Sequence, residues 1–105
     1  MPREDTIVES ILTYINSLPY GVAEKVHGSA MSSGKADINA CYKGVSLRLE
    51  VKTPDHGNKP SKKQKMNLRR WAAAGAKCAT VYSLEEVIQI LDEIDKEVNH
   101  EFICN

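Results

Sequence analysis

Apolar side chains recur at helical spacing near both ends of the chain, whereas the middle alternates between apolar and polar positions. Residues 3–18 predict an amphipathic helix that Pro19 and Gly21 end. Its apolar stripe consists of Ile7, Val8, Ile11, Leu12, Ile15 and Leu18. A helix over about residues 84–97 is predicted from the same spacing. Its core-facing side chains are Val87, Ile88, Leu91 and Ile94.

Capping boxes, in which two side chains bond reciprocally to the backbone at a helix start, are predicted at two places. Ser61 and Gln64 have the required spacing, and Ser83 with Glu86 repeats it. The helix that begins at Ser61 is predicted to run to Gly75, a residue suited to the position just after a helix.

The alternating middle of the chain predicts a β-hairpin over residues 36–42 and 45–52, with Lys43-Gly44 as its two-residue turn. On one face this register pairs apolar residues: Tyr42 with Val45, Ala40 with Leu47, and Ile38 with Leu49. On the other face it pairs polar residues: Cys41 with Ser46, Asn39 with Arg48, and Asp37 with Glu50, followed by Lys52. A slip of one residue would mix the two faces, so the clean sorting supports this register.

Two shorter segments complete the predicted sheet. Residues 22–27 alternate weakly, and residues 79–82 form a short apolar run. The predicted element order is therefore αβββαβα. We expect residues 1–105 to form a single α/β domain with a small mixed central sheet flanked by helices.

Composition narrows the class of protein. A chain of 105 residues with 42% hydrophobic and 27% charged residues is typical of one globular domain. No apolar run approaches the ~18 residues of a membrane span, and the charged N-terminus predicts no secretory signal. Three cysteines without Cys-x-x-Cys spacing favour neither a disulfide framework nor a zinc site. We expect an intracellular, cytoplasmic protein with no membrane partner.

The net charge is zero, but the charges are unevenly distributed. Residues 1–82 carry 13 basic and 7 acidic residues, whereas residues 83–105 carry one lysine and seven acids. Six basic residues fall within residues 59–70, where no acid occurs: Lys59, Lys62, Lys63, Lys65, Arg69 and Arg70. Such a run predicts contact with a polyanion, although a solvated helix face would also explain it.

Asp37 and Glu50 are the residues that a purely structural reading explains least well. Directly opposed carboxylates on one sheet face repel each other, and a divalent cation removes that conflict. Mg²⁺ prefers oxygen ligands and is commonly held by one or two carboxylates. Lys52, two residues beyond Glu50, emerges on the same face. A lysine there can orient a metal-bound water and offset charge on a phosphate.

Gly34-Lys35-Ala36-Asp37, followed after twelve residues by Glu50-Val51-Lys52, resembles the core of the PD-(D/E)XK nucleases. The chain is more specifically similar to the VRR-NUC (virus-type replication-repair nuclease) domain, which is related to archaeal-type Holliday junction resolvases. Further matching parts are residues 49–54, 59–64, 74–77 and 82–86, with Glu4, Ile7 and Ile11 near the N-terminus. Ala36 departs from the family, which usually has Pro there. That Pro is not a ligand.

The resemblance implies a role for each matching residue. Asp37, Glu50 and the backbone carbonyl of Val51 would hold Mg²⁺ (Mn²⁺ is expected to support activity too), and no organic cofactor is implied. Lys52 would be the catalytic lysine. Gln64 would support the site from the second helix, unless it acts only as a capping partner. Glu4 would be a further acidic contributor from the first helix, unless it interacts only with the helix dipole.

The implied substrate is DNA recognised by shape. The run at residues 59–70 would follow the phosphate backbone, and Lys25, Ser33 and Lys35 are weaker candidates for the same contact. Stand-alone members of this type are similar to junction resolvases, which implies branched DNA, a four-way junction above all, and a homodimer. Trp71 is expected in the core or in an oligomer contact, not as a platform for base stacking.

Two other functions remain open at this point. The first is a non-catalytic DNA-binding module that uses the helix over residues 61–74. The second is an adaptor that docks onto another protein through its acidic C-terminal part. Within the nuclease class, a flap or other branched structure is the alternative substrate. Family analogy suggests a phage or mobile-element gene whose product acts in a bacterial host.

Overall fold

The computed structural model describes residues 3–26, 36–53 and 62–104, with side chains described as far as residue 98. Within these ranges the elements are α1 (Glu4–Ser17), β1 (Gly21–Lys25), β2 (Ile38–Tyr42), β3 (Val45–Val51), α2 (Lys62–Ala73), β4 (Lys77–Val81) and α3 (Leu84–Cys104). The predicted order αβββαβα and the small mixed sheet are confirmed.

The sheet has the strand order β1-β2-β3-β4. The first three strands are antiparallel, and β4 runs parallel to β3 because the connection between them crosses over through α2. The β2–β3 register pairs Ile38 with Leu49 and Tyr42 with Val45, as predicted from the alternation. The first strand is shorter than predicted and ends at Lys25, although the Val26 N–H still donates to the Asp37 carbonyl (2.8 Å). His27 lies outside the described residues.

The turn between β2 and β3 has left-handed backbone at both positions, with φ of +50° at Lys43 and +83° at Gly44. Such a turn matches the twist of a hairpin. Lysine is an unusual residue at the first position, and its side chain is held by Asp95 of α3, with Nζ 2.7 Å from Oδ1. The Tyr42 hydroxyl donates to the same carboxylate oxygen (2.8 Å). The turn is therefore tied to α3.

The core lies between the apolar face of the sheet and two helices. Buried members from α1 and α3 are Ile7, Val8, Ile11, Ile15, Val87, Leu91 and Ile94. Buried members from β1, β2, β3 and β4 are Ala23, Ile38, Ala40, Tyr42, Leu47, Leu49, Val51 and Val81. Ile88, expected in the core, is only half-buried, and Ile90 packs against the core cluster instead.

The edge strand β1 is tied to α1 by one side chain. The Asn16 amide donates to the Ala23 carbonyl (3.0 Å), and its oxygen accepts from the Ala23 N–H (2.9 Å). An edge strand otherwise presents unpaired backbone groups to other chains. Asn16 therefore closes part of the outer edge of the sheet.

The helix ends agree with most of the sequence signals. Ser83 Oγ accepts from the Glu86 N–H (3.3 Å), and the Glu86 carboxylate accepts from the Tyr82 N–H, so the second capping signal is confirmed. Ser61, needed for the other capping box, lies outside the described residues. The predicted end of α3 near residue 97 is wrong, because the helix continues to Cys104. No Gly or Pro follows residue 97 to break it.

The location of α2 differs from that of the other helices. None of its residues is buried, and Trp71 contacts Arg48, a residue of the polar sheet face. Trp71 is 42% exposed, so the expectation of a core position is wrong, and the alternative of an oligomer contact stays a prediction. No helix within the described ranges is long and apolar enough to cross a membrane.

Candidate active site

Two carboxylates meet where β2 begins and β3 ends. Ile38 pairs with Leu49, so Asp37 and Glu50 occupy the next opposed positions. The Asp37 side chain reaches across to β3, where Oδ2 accepts a hydrogen bond from the Val51 N–H (2.7 Å). That bond orients one oxygen of Asp37 toward the backbone next to Glu50. The structure therefore brings together the acidic pair that the hairpin register predicts.

Glu50 is an unusual residue for the interior of a small domain. Its side chain is 1% exposed, and Oε2 has no hydrogen-bond partner in the described part of the chain. Its pKa is raised from 4.5 to about 8. Burial is the largest cause, hydrogen bonding with Asp37 and repulsion from it add to the rise, and Lys52 opposes it. A buried polar atom without a partner costs free energy. A cation held between the two carboxylates would satisfy this oxygen and remove the repulsion.

Lys52 supplies positive charge beside this pair. Its ammonium Nζ lies 3.6 Å from Glu50 Oε1, and its side chain is 16% exposed. The Lys52 N–H donates to the Val81 carbonyl (3.0 Å), which continues the pairing of β3 with β4 beyond Val51. The backbone that carries Glu50, Val51 and Lys52 is therefore fixed on both sides, by Asp37 and by β4.

The other predicted members of the site are less closely associated with it. Glu4 is the first residue of α1 and is half-buried. The described residues contain no cluster of three His, Cys, Asp or Glu side chains that would hold a metal ion, and the role of Glu4 in the site remains a prediction. Gln64 is half-buried in the first turn of α2. Its role in the site remains a prediction.

The basic side chains of α2 form an exposed surface. All five that the structure describes are exposed, as is Lys25 on β1: Lys62, Lys63, Lys65, Arg69 and Arg70. The first turn of α2 contains no acidic residue. Ser33, Lys35 and Lys59 lie outside the described residues. The exposed lysines and arginines of α2 therefore offer positive charge to a polyanion along one helix that packs against the sheet.

Arg48 is a residue of this region for which the sequence predicts no functional role. Its guanidinium lies over the indole of Trp71, 3.8 Å from the ring centroid. Nη1 donates to Ser46 Oγ (3.0 Å) and to the Leu47 carbonyl (2.9 Å). The alternation of β3 already placed Arg48 on the face of Glu50. The sequence contains no signal for its contact with α2, which depends on how that helix packs.

Comparison with solved structures identifies the class of fold as that of the VRR-NUC domain. One chain named "VRR_NUC domain" superposes with a TM-score of 0.67 at 23% identity, covering 85% of this chain and 94% of that one. A second, named "VRR_NUC domain protein", gives a TM-score of 0.69 at 14% identity, covering 89% of this chain and 88% of that one. No protein-family model and no curated protein sequence matches the chain. The resemblance predicted from the sequence is thus confirmed at the level of the fold.

Proposed function

We propose that this chain forms one metal-dependent endodeoxyribonuclease domain of the PD-(D/E)XK kind. The observation that carries the proposal is the buried Glu50 Oε2, which has no partner in the described ranges and lies in a site shared with Asp37 and Lys52. The VRR-NUC fold of the structural neighbours supports the same class. A purely structural role for Glu50 would leave this oxygen unexplained.

The metal ligands in this proposal are Asp37, Glu50 and the carbonyl of Val51, and the ion is Mg²⁺ or Mn²⁺. The donors are all oxygens, which suits these cations. A bound divalent cation supplies Lewis-acid activation of water and of the scissile phosphate. Asp37 is oriented for this by the Val51 N–H, which already occupies its Oδ2. Glu50 contributes an oxygen whose hydrogen-bonding capacity is unused within the described residues.

Lys52 acts on the reacting atoms in this proposal. Its ammonium lies beside the acidic pair, at 3.6 Å from Glu50 Oε1, and is still partly accessible. It donates to the attacking water and offsets the negative charge that develops on the phosphate. In-line attack leaves a 5′-phosphate and a 3′-hydroxyl, as in the nucleases that the sequence resembles. Gln64 and Glu4 are proposed to support the site from α2 and α1.

The DNA contact is proposed along α2 and does not read sequence. Its exposed lysines and arginines neutralise phosphates, which positions DNA without distinguishing bases. Branched DNA, with the four-way junction as the first candidate, is the proposed substrate. Symmetric cutting of two strands then requires a homodimer. The proposed location is the cytoplasm of the host cell.

The proposed chemistry is tested by cleavage assays in Mg²⁺, Mn²⁺ and EDTA on labelled four-way junctions, flaps, single strands and linear duplexes. We expect metal-dependent cleavage that Lys52→Ala abolishes and that Lys96→Ala, which removes an exposed lysine of α3, leaves unchanged. Asp37→Asn is expected to lose cleavage while DNA binding is retained or tighter, with exposed Asp92→Asn as its control. Full activity of Lys52→Ala would refute the assigned site.

Substrate and assembly are tested separately from the chemistry. Symmetric cuts near a junction centre, with light scattering at about twice the chain mass, would support the resolvase interpretation. Cuts confined to flaps would keep the chemistry and change the substrate. DNA binding without any cleavage in either metal would favour a non-catalytic module that uses the exposed basic residues of α2.

A further inference from the structure

The helix α2 lacks a buried anchor. It has no buried residue, and a helix of its length is marginally stable without tertiary contacts. The half-buried side chains Gln64, Asn67 and Leu68 define the side that faces the sheet. Trp71 follows Gln64 by seven positions, about two turns, and so lies on that side as well. A few side chains must therefore determine how this helix is rotated about its axis.

Arg48 provides one such contact from the sheet. Its guanidinium is held on β3 by hydrogen bonds to Ser46 Oγ and to the Leu47 carbonyl, and it stacks on the indole of Trp71. The separation of 3.8 Å is well inside the ~6 Å within which a cation and an aromatic ring attract. Arg48 precedes Glu50 by two residues on the same face of β3, about 7 Å away along the strand. The strand that carries Glu50 is therefore linked to α2.

The backbone at the end of α2 anchors that end of the helix to the segment that leads into β4. The Ala76 N–H donates to the Trp71 carbonyl and the Gly75 N–H to the Ala72 carbonyl, both at 3.0 Å. With φ of +109° at Gly75, these bonds form a Schellman motif that leads directly into β4. Trp71 is part of this anchored turn, because its carbonyl accepts the Ala76 hydrogen bond. We expect a side-chain contact at this position to affect the orientation of the whole helix.

The basic side of α2 lies opposite the stack. With about 3.6 residues per turn, Lys62, Lys65 and Arg69 fall on the side away from Trp71, and all three are exposed. We infer that the Arg48–Trp71 stack is the positioning contact that sets the rotation of α2 and thereby directs its basic side outward relative to the strand bearing Glu50. That this orientation matters for DNA binding rests on the proposed function. That the stack sets the rotation of α2 does not depend on it.

The structural part of this inference is testable without activity, because Trp71 is the only tryptophan in the chain. In Arg48→Ala we expect indole fluorescence to become more accessible to acrylamide. We also expect backbone amides of α2 to exchange with solvent about tenfold faster, a change in proportion to the loss of one cation–π contact. Amides of β2 and β3 should keep their protection. Met66→Ala, which truncates another exposed apolar residue on the opposite side of α2, is the matched control and should change neither measurement.

The functional part is tested by a double-mutant cycle on junction cleavage and DNA affinity. Arg48→Ala and Trp71→Ala should each lower the rate roughly tenfold, and the double variant should lose little more, since both changes remove one contact. Trp71→Phe keeps an aromatic face and should restore most of the rate. Metal-induced stabilisation should be equal in all variants, because Asp37 and Glu50 are unchanged.

Three results would overturn the inference. The first is unchanged quenching and α2 exchange in Arg48→Ala. The second is additive losses in the cycle. The third is weaker binding of single-stranded DNA by Trp71→Ala alone, with normal exchange, which would make Trp71 a base-stacking residue. If the unaltered protein cleaves nothing while Arg48→Ala still loosens α2, the proposed function fails and the positioning contact stands.

Discussion

Replacing Glu50 by glutamine removes a charge and keeps the shape of the side chain. The residue is 1% exposed, and its Oε2 accepts no hydrogen bond from the described residues. A glutamine amide at this place can donate to the Asp37 carboxylate as a protonated Glu50 can, but it needs no bound proton to do so. We therefore expect Glu50→Gln to be more stable than the unaltered protein in the absence of metal, although it should lose cleavage.

The magnitude follows from the two pKa values of the group. In the folded protein the pKa of Glu50 is raised to about 8, and in the unfolded chain it is close to the ordinary 4.5. Between these values the unfolded state releases the proton and the folded state retains it, so stability falls as pH rises from 4.5 toward 8. With about 1.4 kcal/mol for each pH unit, the loss at pH 7 is about 3 kcal/mol. Glutamine does not titrate and avoids this loss.

Urea unfolding in EDTA at several pH values between 5 and 8 measures the effect. The difference in free energy of unfolding between Glu50→Gln and the unaltered protein should grow with pH and reach about 3 kcal/mol near neutrality. The exposed Glu93→Gln is the matched control and should show no such growth. Mn²⁺ or Mg²⁺ should stabilise the unaltered protein and not Glu50→Gln. A variant with no gain in stability and an unchanged pH slope would refute the assignment of Glu50 as a strained buried carboxylate.

Three further changes test the scaffold by urea unfolding. Asn16→Ala should cost about 1–3 kcal/mol, because Ala23 loses both backbone hydrogen bonds at the sheet edge; equal stability and equal solubility would contradict this. Asp95→Asn should weaken the turn by about 1 kcal/mol at pH 7. Lys43 lowers the pKa of Asp95 below 3.8, so this difference should vanish as pH falls through that folded pKa. Gly75→Ala should cost about 1–2 kcal/mol, because φ there is +109° although a methyl group would meet no atom within 4 Å; a neutral effect would contradict it.

Much of the fold was predictable because local pattern and tertiary structure agree. The register of β2 with β3 follows from the strict alternation, since a slip would bury Asn39 and Arg48 and expose Leu47 and Leu49. The juxtaposition of the acidic pair follows from the same register. The sequence pattern could not predict the environment of Glu50, because the burial of this side chain depends on long-range packing.

The two misplaced features have separate causes. Trp71 was expected in the core or in an oligomer contact, but it is 42% exposed and stacks on Arg48 of the polar sheet face. The extent of α3 was missed although Val98 and Phe102 continue the helical spacing of Leu91 and Ile94, and no Gly or Pro follows residue 97 to break the helix. The contact of Trp71 with Arg48, by contrast, has no signal within a window of a few residues.

The same carboxylate accounts for an energetic cost and a proposed capability. A domain of this size is stable by roughly 5–15 kcal/mol, so a burden of about 3 kcal/mol at pH 7 is a substantial fraction. Leu49 and Val51, the neighbours of Glu50 along β3, are fully buried. We assign this cost to the acidic pair and expect a cation at Glu50 Oε2 to offset it. Binding of such a cation would stabilise the folded state, so stability would depend on metal in the way that the unfolding experiment measures.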